Sequence, residues 1–298
     1  MYISRTTQAT VMASTLGDLE NSLNQIQQLQ TQIASGHRVN QPSDSPSDAI
    51  VAMASQSEIT RVNQYQTNIN DGLAQLGTAD STLQSVVTTV QSARDLVLQA
   101  SNGTLSATDR AALADQIDAI RQQLLASANT QYLGRPIFGG TSAGTQAYDA
   151  TTGAYLGDNG SVTRTIAAGT KVQVNVTGPT VFGPSGSSLF DVLGQISADM
   201  RNPAALANLT GSDLTNLDSA TQNVTGALSE VGARYKQLQT QQTSNTGLLG
   251  TLQTTLSGAR DVDVAKAVTD LQLQEVAYQA SLAVTAKIIQ PSLVDFLH

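Results

Sequence analysis

Histidine occurs twice in this chain of 298 residues, as His37 and His298, and cysteine does not occur. Those two counts remove most familiar chemistry. Without thiols there are no disulfides, no thiolate-bound metal and no cysteine nucleophile. His37 sits beside a helix-stopping glycine and His298 is the last residue, so both read as solvated groups outside any constellation. The spacings H-E-x-x-H, the phosphate-cradling P-loop and the G-x-S-x-G elbow are missing. Gly183-Pro184-Ser185-Gly186 has the glycines of a phosphate loop without the following lysine, and reads as a linker. Asp261-Val262-Asp263 could form a carboxylate pair, but negative charge at the start of a helix is the simpler account. The expectation is therefore a non-enzyme with no catalytic, cofactor-binding or metal-ligating residues and no cofactor.

What the sequence repeats instead is spacing. Met12, Leu16, Leu19, Leu23, Ile26 and Ile33 keep a seven-residue period with Gln30 as the polar exception. Val264, Val268, Leu271, Tyr278, Leu282 and Ile289 do the same, interrupted by Glu275 and Thr285. Such a period lays a narrow apolar stripe along a helix, and the stripe needs another helix to cover it. Between these ends lie two longer seams. One runs Ile59, Val62, Gln66, Ile69, Leu73, Leu76, Asp80, Leu83, Val87, Val90, Arg94, Val97 without a slip, a helix of about 60 Å. The other runs Leu214, Leu217, Thr221, Val224, Leu228, Val231, Tyr235, Leu238, Gln242, Asn245, Leu249, Leu252, Leu256 and can lie beside the first along its length. The polar members Gln66, Asp80, Arg94, Gln242 and Asn245 are either buried register-setters or groups facing solvent at a loose edge.

Punctuation marks the boundaries. The first helix is expected over 10–34, stopped by Gly36. Pro42 and Pro46 force extended neighbours. Ser45 then caps a new helix, with Pro46 at its first position and Asp48 three residues beyond the cap. Asn102-Gly103 ends that helix, and Ser106 with Asp109 caps the next, whose seam is Leu113, Ile117, Ile120 and Leu124. From 137 to 187 helical periodicity vanishes and glycines recur. Val162, Arg164 and Ile166 alternate, Gly169 turns, and 171–177 alternate again, which reads as a β-hairpin. The expected fold is mainly α with a β-rich insertion: a long antiparallel coiled-coil-like bundle formed by the two halves of the chain, with the insertion at the turnaround. Its parts are a terminal helical domain of 1–40 with 261–298, a long-helix domain of 41–136 with 188–260, and the insertion 137–187.

Composition agrees with helix seams rather than a compact catalytic core: hydrophobic residues are 40%, aromatics only 4%, and tryptophan is absent. A formal net charge of -8 with no basic cluster argues against nucleic acid and against anionic membranes. No stretch reaches the ~20 apolar residues of a membrane span. Residues 1–40 show no basic segment leading into an apolar one, so no cleavable secretory signal is expected. A single-stripe helix of this length is marginal by itself. Both ends are thus expected to be largely disordered in the monomer and to fold when many subunits pack together.

The stretch Gly36-His37-Arg38-Val39-Asn40-Gln41-Pro42-Ser43-Asp44-Ser45-Pro46 resembles the signature after the first helix of bacterial flagellin-like proteins. His37 replaces the usual lysine and Ser45 the second aspartate. Ala277-Tyr278-Gln279-Ala280-Ser281-Leu282, Ala286-Lys287-Ile288 and Ser292-Leu293-Val294-Asp295-Phe296-Leu297 resemble the end of the hook–filament junction family within that superfamily. Ile137-Phe138-Gly139-Gly140, Tyr155-x-Gly157-Asp158 and the run from Val172 to Phe182 resemble that family's insertion. The resemblance implies an extracellular structural subunit of the flagellum. It would be exported unfolded through the type III apparatus with an export chaperone, then form a ring of copies between hook-associated protein 1 and the flagellin filament. Under that reading Leu16, Leu19, Leu23, Ile26, Ile33, Val268, Leu271, Tyr278, Leu282 and Ile289 carry subunit assembly by mutual burial. The turn of Arg38, Asn40, Pro42, Asp44 and Pro46 fixes how the end helices leave the middle. The competing readings are a minor flagellin and, from another class, an adhesin presented by the insertion.

Overall fold

A computed structural model describes residues 8–289, and side chains from Thr10 to Ala286 apart from Val11 and Met12. The expectations for Met12, Ile289, the 292–297 run and His298 fall outside the described residues or side chains. The chain is mainly helical with a small β-rich insertion, as the periodicity predicts. Its elements are α1 (Gln8–Ser35), α2 (Pro46–Ala100), α3 (Ala107–Ala128), β1 (Gln131–Tyr132), β2 (Arg135–Pro136), β3 (Thr163–Ala167), β4 (Thr170–Gln173), α4 (Gly178–Phe182), α5 (Leu189–Arg201), α6 (Leu206–Thr210), α7 (Ser212–Arg260) and α8 (Val264–Ile289). Gly36 ends α1 with φ +72°, a conformation costly for any residue with a Cβ. Pro46 opens α2, and the Ser106 hydroxyl accepts from the Asp109 amide to cap α3. Two compact units result, one of residues 1–60 with 248–298 and one of 61–247.

In the 61–247 unit, α2 and α7 lie antiparallel in one unslipped register. Arg94 pairs with Asp218 at 2.9 Å, Gly77 faces Tyr235, Gln242 bonds Asn70 at 2.8 Å, and Gln66 bonds Thr246 at 3.4 Å. Between the first and last of these pairs both helices advance by the same 28 residues. Half of each seam is buried as expected: Val62, Ile69, Leu76, Leu83, Val90 and Val97 on α2, and Leu217, Val224, Val231, Leu238 and Asn245 on α7. The other half is one residue out. Leu73, Asp80, Val87, Arg94, Thr221, Leu228 and Tyr235 are only half-buried, while Gly72, Ala79, Val86, Ala93, Ala220 and Ala227 fill the seam. Small residues let the helix backbones approach, and the larger side chains then lean over the flanks.

Gly72 shows how tight the approach is. A Cβ there would stand 2.9 Å from both Leu238 Cδ1 and Val174 Cγ1. Gly72→Val is accordingly expected to destabilise the protein by about 1–3 kcal/mol, read as a lower urea midpoint.

The polar seam positions divide. Asn245 is buried and donates from Nδ2 to the carbonyl of Ile166 at 3.1 Å, so it sets register between α7 and β3. Gln66, Arg94 and Gln242 instead bridge the two helices at the flanks, and Asp80 accepts from Gln84 at 2.6 Å along its own helix.

The hairpin forms where alternation predicts it, Arg164 opposite Val172 with Gly169 in the turn, although β4 stops at Gln173. It packs against the middle of the helices. Asn68 Nδ2 donates to the Thr165 carbonyl at 2.8 Å and Arg164 pairs with Asp71 at 2.8 Å. Its inward residues Ile166, Val172 and Val174 join one core with Ile69, Leu76 and Leu238.

The few aromatics are concentrated beside it. Phe138, Tyr148, Tyr155, Phe182 and Phe190 form one cluster with ring centroids 4.9–5.6 Å apart, mostly edge-to-face or tilted. Burial pushes the Tyr148 hydroxyl far above its ordinary titration range. The Tyr155 hydroxyl lies 3.0 Å from the Phe138 carbonyl and 2.6 Å from that of Asp158, which ties Ile137-Phe138-Gly139-Gly140 to Tyr155-x-Gly157-Asp158. Asp158 in turn accepts from the amide and hydroxyl of Thr141 and the amide of Gly160, which hold its carboxyl below the usual range. Gly183 to Gly186 is a lead-in to α5: the Gly186 amide bonds Asp191, which also completes a capping box with Ser188.

Candidate functional site: the terminal helix pair and its clasp

The 1–60 and 248–298 unit contains both ends of the described chain. Its α1 packs against α8. The buried and half-buried positions of α1 include Thr15, Leu19, Ser22, Ile26, Leu29 and Ile33, a 4-3-4-3-4 pattern, with Gly17 and Gln32 half-buried beside it. On α8 the inward set includes Ala267, Leu271, Gln274, Tyr278 and Thr285. Gln274 Nε2 donates to the Ser22 hydroxyl at 3.2 Å within this contact. The seam between the ends therefore uses threonine, serine, alanine and glutamine at several of its positions.

The large apolar groups left over face outward. Of the residues expected to carry assembly, Leu19, Ile26, Ile33, Leu271 and Tyr278 lie in the chain's own seam. Leu16, Leu23, Val268 and Leu282 are exposed, Leu16 by 49%. Leu273 and Val276, each 65% exposed, and Val284 join them on α8, and Ile50 and Met53 are uncovered on the first turns of α2. The sequence reading missed these last five because none falls on a seven-residue stripe. Burying such side chains is worth about 1.5–3 kcal/mol each.

At the base of the pair, the two connecting segments are clasped. The amides of Arg38 and Val39 both donate to the Arg260 carbonyl, at 2.7 and 3.3 Å, and the Val262 amide donates back to Gly36 at 3.0 Å. His37 and Asp261 form a β-bridge, and His37 Nδ1 stands 3.2 Å from Asp261 Oδ1. This corrects the reading of His37 as a solvated bystander: it is half-buried in the clasp, against a partner 224 positions away in sequence that spacing does not reveal. Arg38 Nη2 reaches both the Ala259 carbonyl at 3.0 Å and Asp48 at 2.9 Å. Asp44 Oδ2 accepts from the amides of Asn40 and Gln41, both at 2.9 Å, and Asn40 Nδ2 donates to the His37 carbonyl at 3.0 Å. Pro42 sits inside that turn and Pro46 begins α2. Asp263 starts α8, its carboxylate taking the Lys266 amide at 3.1 Å, so the helix-start account holds for Asp263 while Asp261 belongs to the clasp.

Asp44→Ala removes two charge-assisted bonds at once. It is expected to cost about 1–2 kcal/mol of local stability, read as faster amide exchange at Asn40 and Gln41. The clasp carboxylates also give it a pH signature. The Ser45 hydroxyl, then Arg38, hold Asp48 below the ordinary aspartate range, and the Ser257 hydroxyl, then Arg260 and His37, do so for Asp261. Groups lowered on folding contribute above the unfolded value, about 3.9, and lose that contribution as pH falls through the folded one. Amide exchange in 36–48 is expected to stay slow down to about pH 4 and to rise below it.

Comparison with known proteins places these features in a family. The family model of the bacterial flagellin N-terminal helical region matches residues 5–143, and that of the bacterial flagellin C-terminal helical region matches 214–297. Flagellar hook-associated protein 3 of Salmonella typhimurium is 30% identical over 290 residues, which cover 89% of this chain and 91% of the relative. The protein of that name from Escherichia coli K12 is 30% identical over 273 residues, covering 84% and 86%. Among solved structures, Bacillus cereus FlgL superposes with a TM-score of 0.60 at 26% identity, over 68% of this chain and 99% of that one.

Proposed function

From the premise that this chain belongs to the hook-associated protein 3 family of the bacterial flagellin superfamily, we propose that it is a structural subunit of the flagellum, at the junction of hook and filament. The observation that carries the reading is the outward placement of Leu16, Leu23, Val268, Leu273, Val276 and Leu282 on helices whose own seam is filled with smaller and more polar groups. These ends are built to be covered by further copies. In the proposal, 1–40 with 261–298 is the assembly domain, 41–136 with 188–260 the long-helix domain, and 137–187 the insertion. The clasp of Arg38, Asn40, Pro42, Asp44 and Pro46 aims the end helices. The subunit forms a ring between hook-associated protein 1 and flagellin outside the cell, after type III export with a chaperone.

The insertion shares its core with α2 and α7, which weighs against a detachable adhesive module. Electron microscopy of a deletion strain tests the junction role. Hooks without filaments, with flagellin shed into the medium, are the expected result. Filaments of ordinary length on the mutant cells would overturn it.

A further inference from the structure

We propose that Asn102 is a site of spontaneous covalent modification, converted through a cyclic imide with the Gly103 nitrogen, and that the fold withholds the same reaction from Asn159. These are the two asparagines of the chain that are followed by glycine. By sequence alone they are alike. Their surroundings differ.

The reaction is an attack by the next residue's backbone nitrogen on the side-chain amide carbon. The glycine amide gives up its proton, and a bond forms from that nitrogen to Cγ. The Cγ–Nδ2 bond then breaks and ammonia leaves with the proton. Water opens the ring at either carbonyl, leaving aspartate or an isoaspartyl linkage. The attacking nitrogen must therefore be free to turn and to lose its proton. The side-chain oxygen gains negative charge during the attack, so donors aimed at it lower the barrier. Water must also reach the site.

Asn102 meets each condition. It lies in the turn between α2 and α3 and is exposed, as is Gly103. The Gly103 amide has no acceptor among the described residues, and a Cβ built there would meet nothing within 4 Å. Asn102 Oδ1 accepts from the Thr104 amide at 3.1 Å and from the Thr104 hydroxyl at 2.9 Å. Two donors thus sit on the oxygen that takes up charge as Gly103 attacks. The Leu105 amide donates to the Asn102 carbonyl at 3.1 Å, which closes the turn without engaging Gly103.

Asn159 is also exposed, but its glycine is pinned. The Gly160 amide donates to Asp158 Oδ1 at 2.9 Å, so a carboxylate holds the proton and its charge opposes the proton's loss. The Gly160 carbonyl accepts from Asn175 Nδ2 at 2.9 Å, and a Cβ at Gly160 would collide with Thr141. Turning that nitrogen onto Asn159 Cγ would break the ties that Asp158 and Asn175 make to Gly160.

Either product places a carboxylate just past the end of α2, where the helix dipole disfavours negative charge. The isoaspartyl form also adds a methylene to the turn, so the aged chain joins α2 to α3 more loosely than the fresh one.

Peptide mapping of the full chain, aged in mildly alkaline buffer with and without urea, tests the proposal. In the folded chain aspartate plus isoaspartate should accumulate at 102 at least about tenfold faster than at 159, and in urea the two rates should converge. Gly103→Val, whose side chain has room, should suppress conversion at 102 and abolish the isoaspartyl product there. Equal rates at the two sites in the folded chain, an intact Asn102 there, or a gap that persists in urea would overturn the proposal. So would undiminished conversion in Gly103→Val, or aspartate without isoaspartate at 102, since either would mean direct hydrolysis in place of the imide.

Discussion

Phe182→Ala is expected to remove about 3–5 kcal/mol of stability, the largest single loss in the molecule. Its ring is fully buried and touches Phe138, Tyr148 and Phe190 at 5.2–5.6 Å between centroids. Truncation leaves a void that neighbouring rings, each fixed by further contacts, cannot collapse to fill. Because a domain of this kind has only about 5–15 kcal/mol in total, the variant should unfold at markedly lower urea and lose near-ultraviolet ellipticity first. Gly178→Val should act on the same cluster from the opposite side, since a Cβ at Gly178 would stand 2.5 Å from the Tyr148 hydroxyl. A loss below about 1 kcal/mol for Phe182→Ala would mean that the aromatic cluster does not organise the insertion.

The second large effect falls on assembly and spares the fold. Leu273→Asp combined with Val276→Asp changes two side chains that are each 65% exposed in the single chain. The monomer should keep its helicity and its urea midpoint to within about 0.5 kcal/mol. Self-association, followed by sedimentation or light scattering, should weaken by at least about thirtyfold, the equivalent of 2 kcal/mol at a central contact. The matched change at the inward Ile26, which is 8% exposed, should reverse the pattern by destabilising the chain itself. Equal self-association of wild type and the double aspartate variant would remove the outward face of α8 from the contact surface.

Much of this architecture was legible from spacing alone. Helix starts were visible because Ser45-Pro46 and Ser106 carry their capping chemistry within three residues, and the β3–β4 turn because Gly169 interrupts a strict alternation. The phase of the seams was only half legible. A reading that ranks positions by apolar size chooses Leu73 and Leu228 over Gly72 and Ala227, and Leu16 and Leu23 over Thr15 and Ser22. Where backbones come close, the small residue wins the interior, and the large neighbour becomes flank or free surface. In the end helices the leucines and valines misplaced in this way are the exposed ones.

Other parts could not be read locally at all. The His37–Asp261 contact, the Arg38 bond to the Ala259 carbonyl and the Asn245 bond to Ile166 join residues 79 to 224 positions apart. Nothing at either residue announces the other. The aromatic cluster was hidden by dilution: a low overall aromatic content says nothing about five rings gathered at one place.

Amide hydrogen exchange of α1 and α8, compared between the dispersed subunit and the assembled flagellar junction, tests the central claim most directly. Residues around Leu16, Leu23, Val268 and Leu282 should exchange faster in the single chain than α2 and α7 between 61 and 247, which stay protected in both states, and should become strongly protected on assembly. Equal protection of the end helices in the two states would contradict the account, since the apolar faces would then be satisfied without a neighbour.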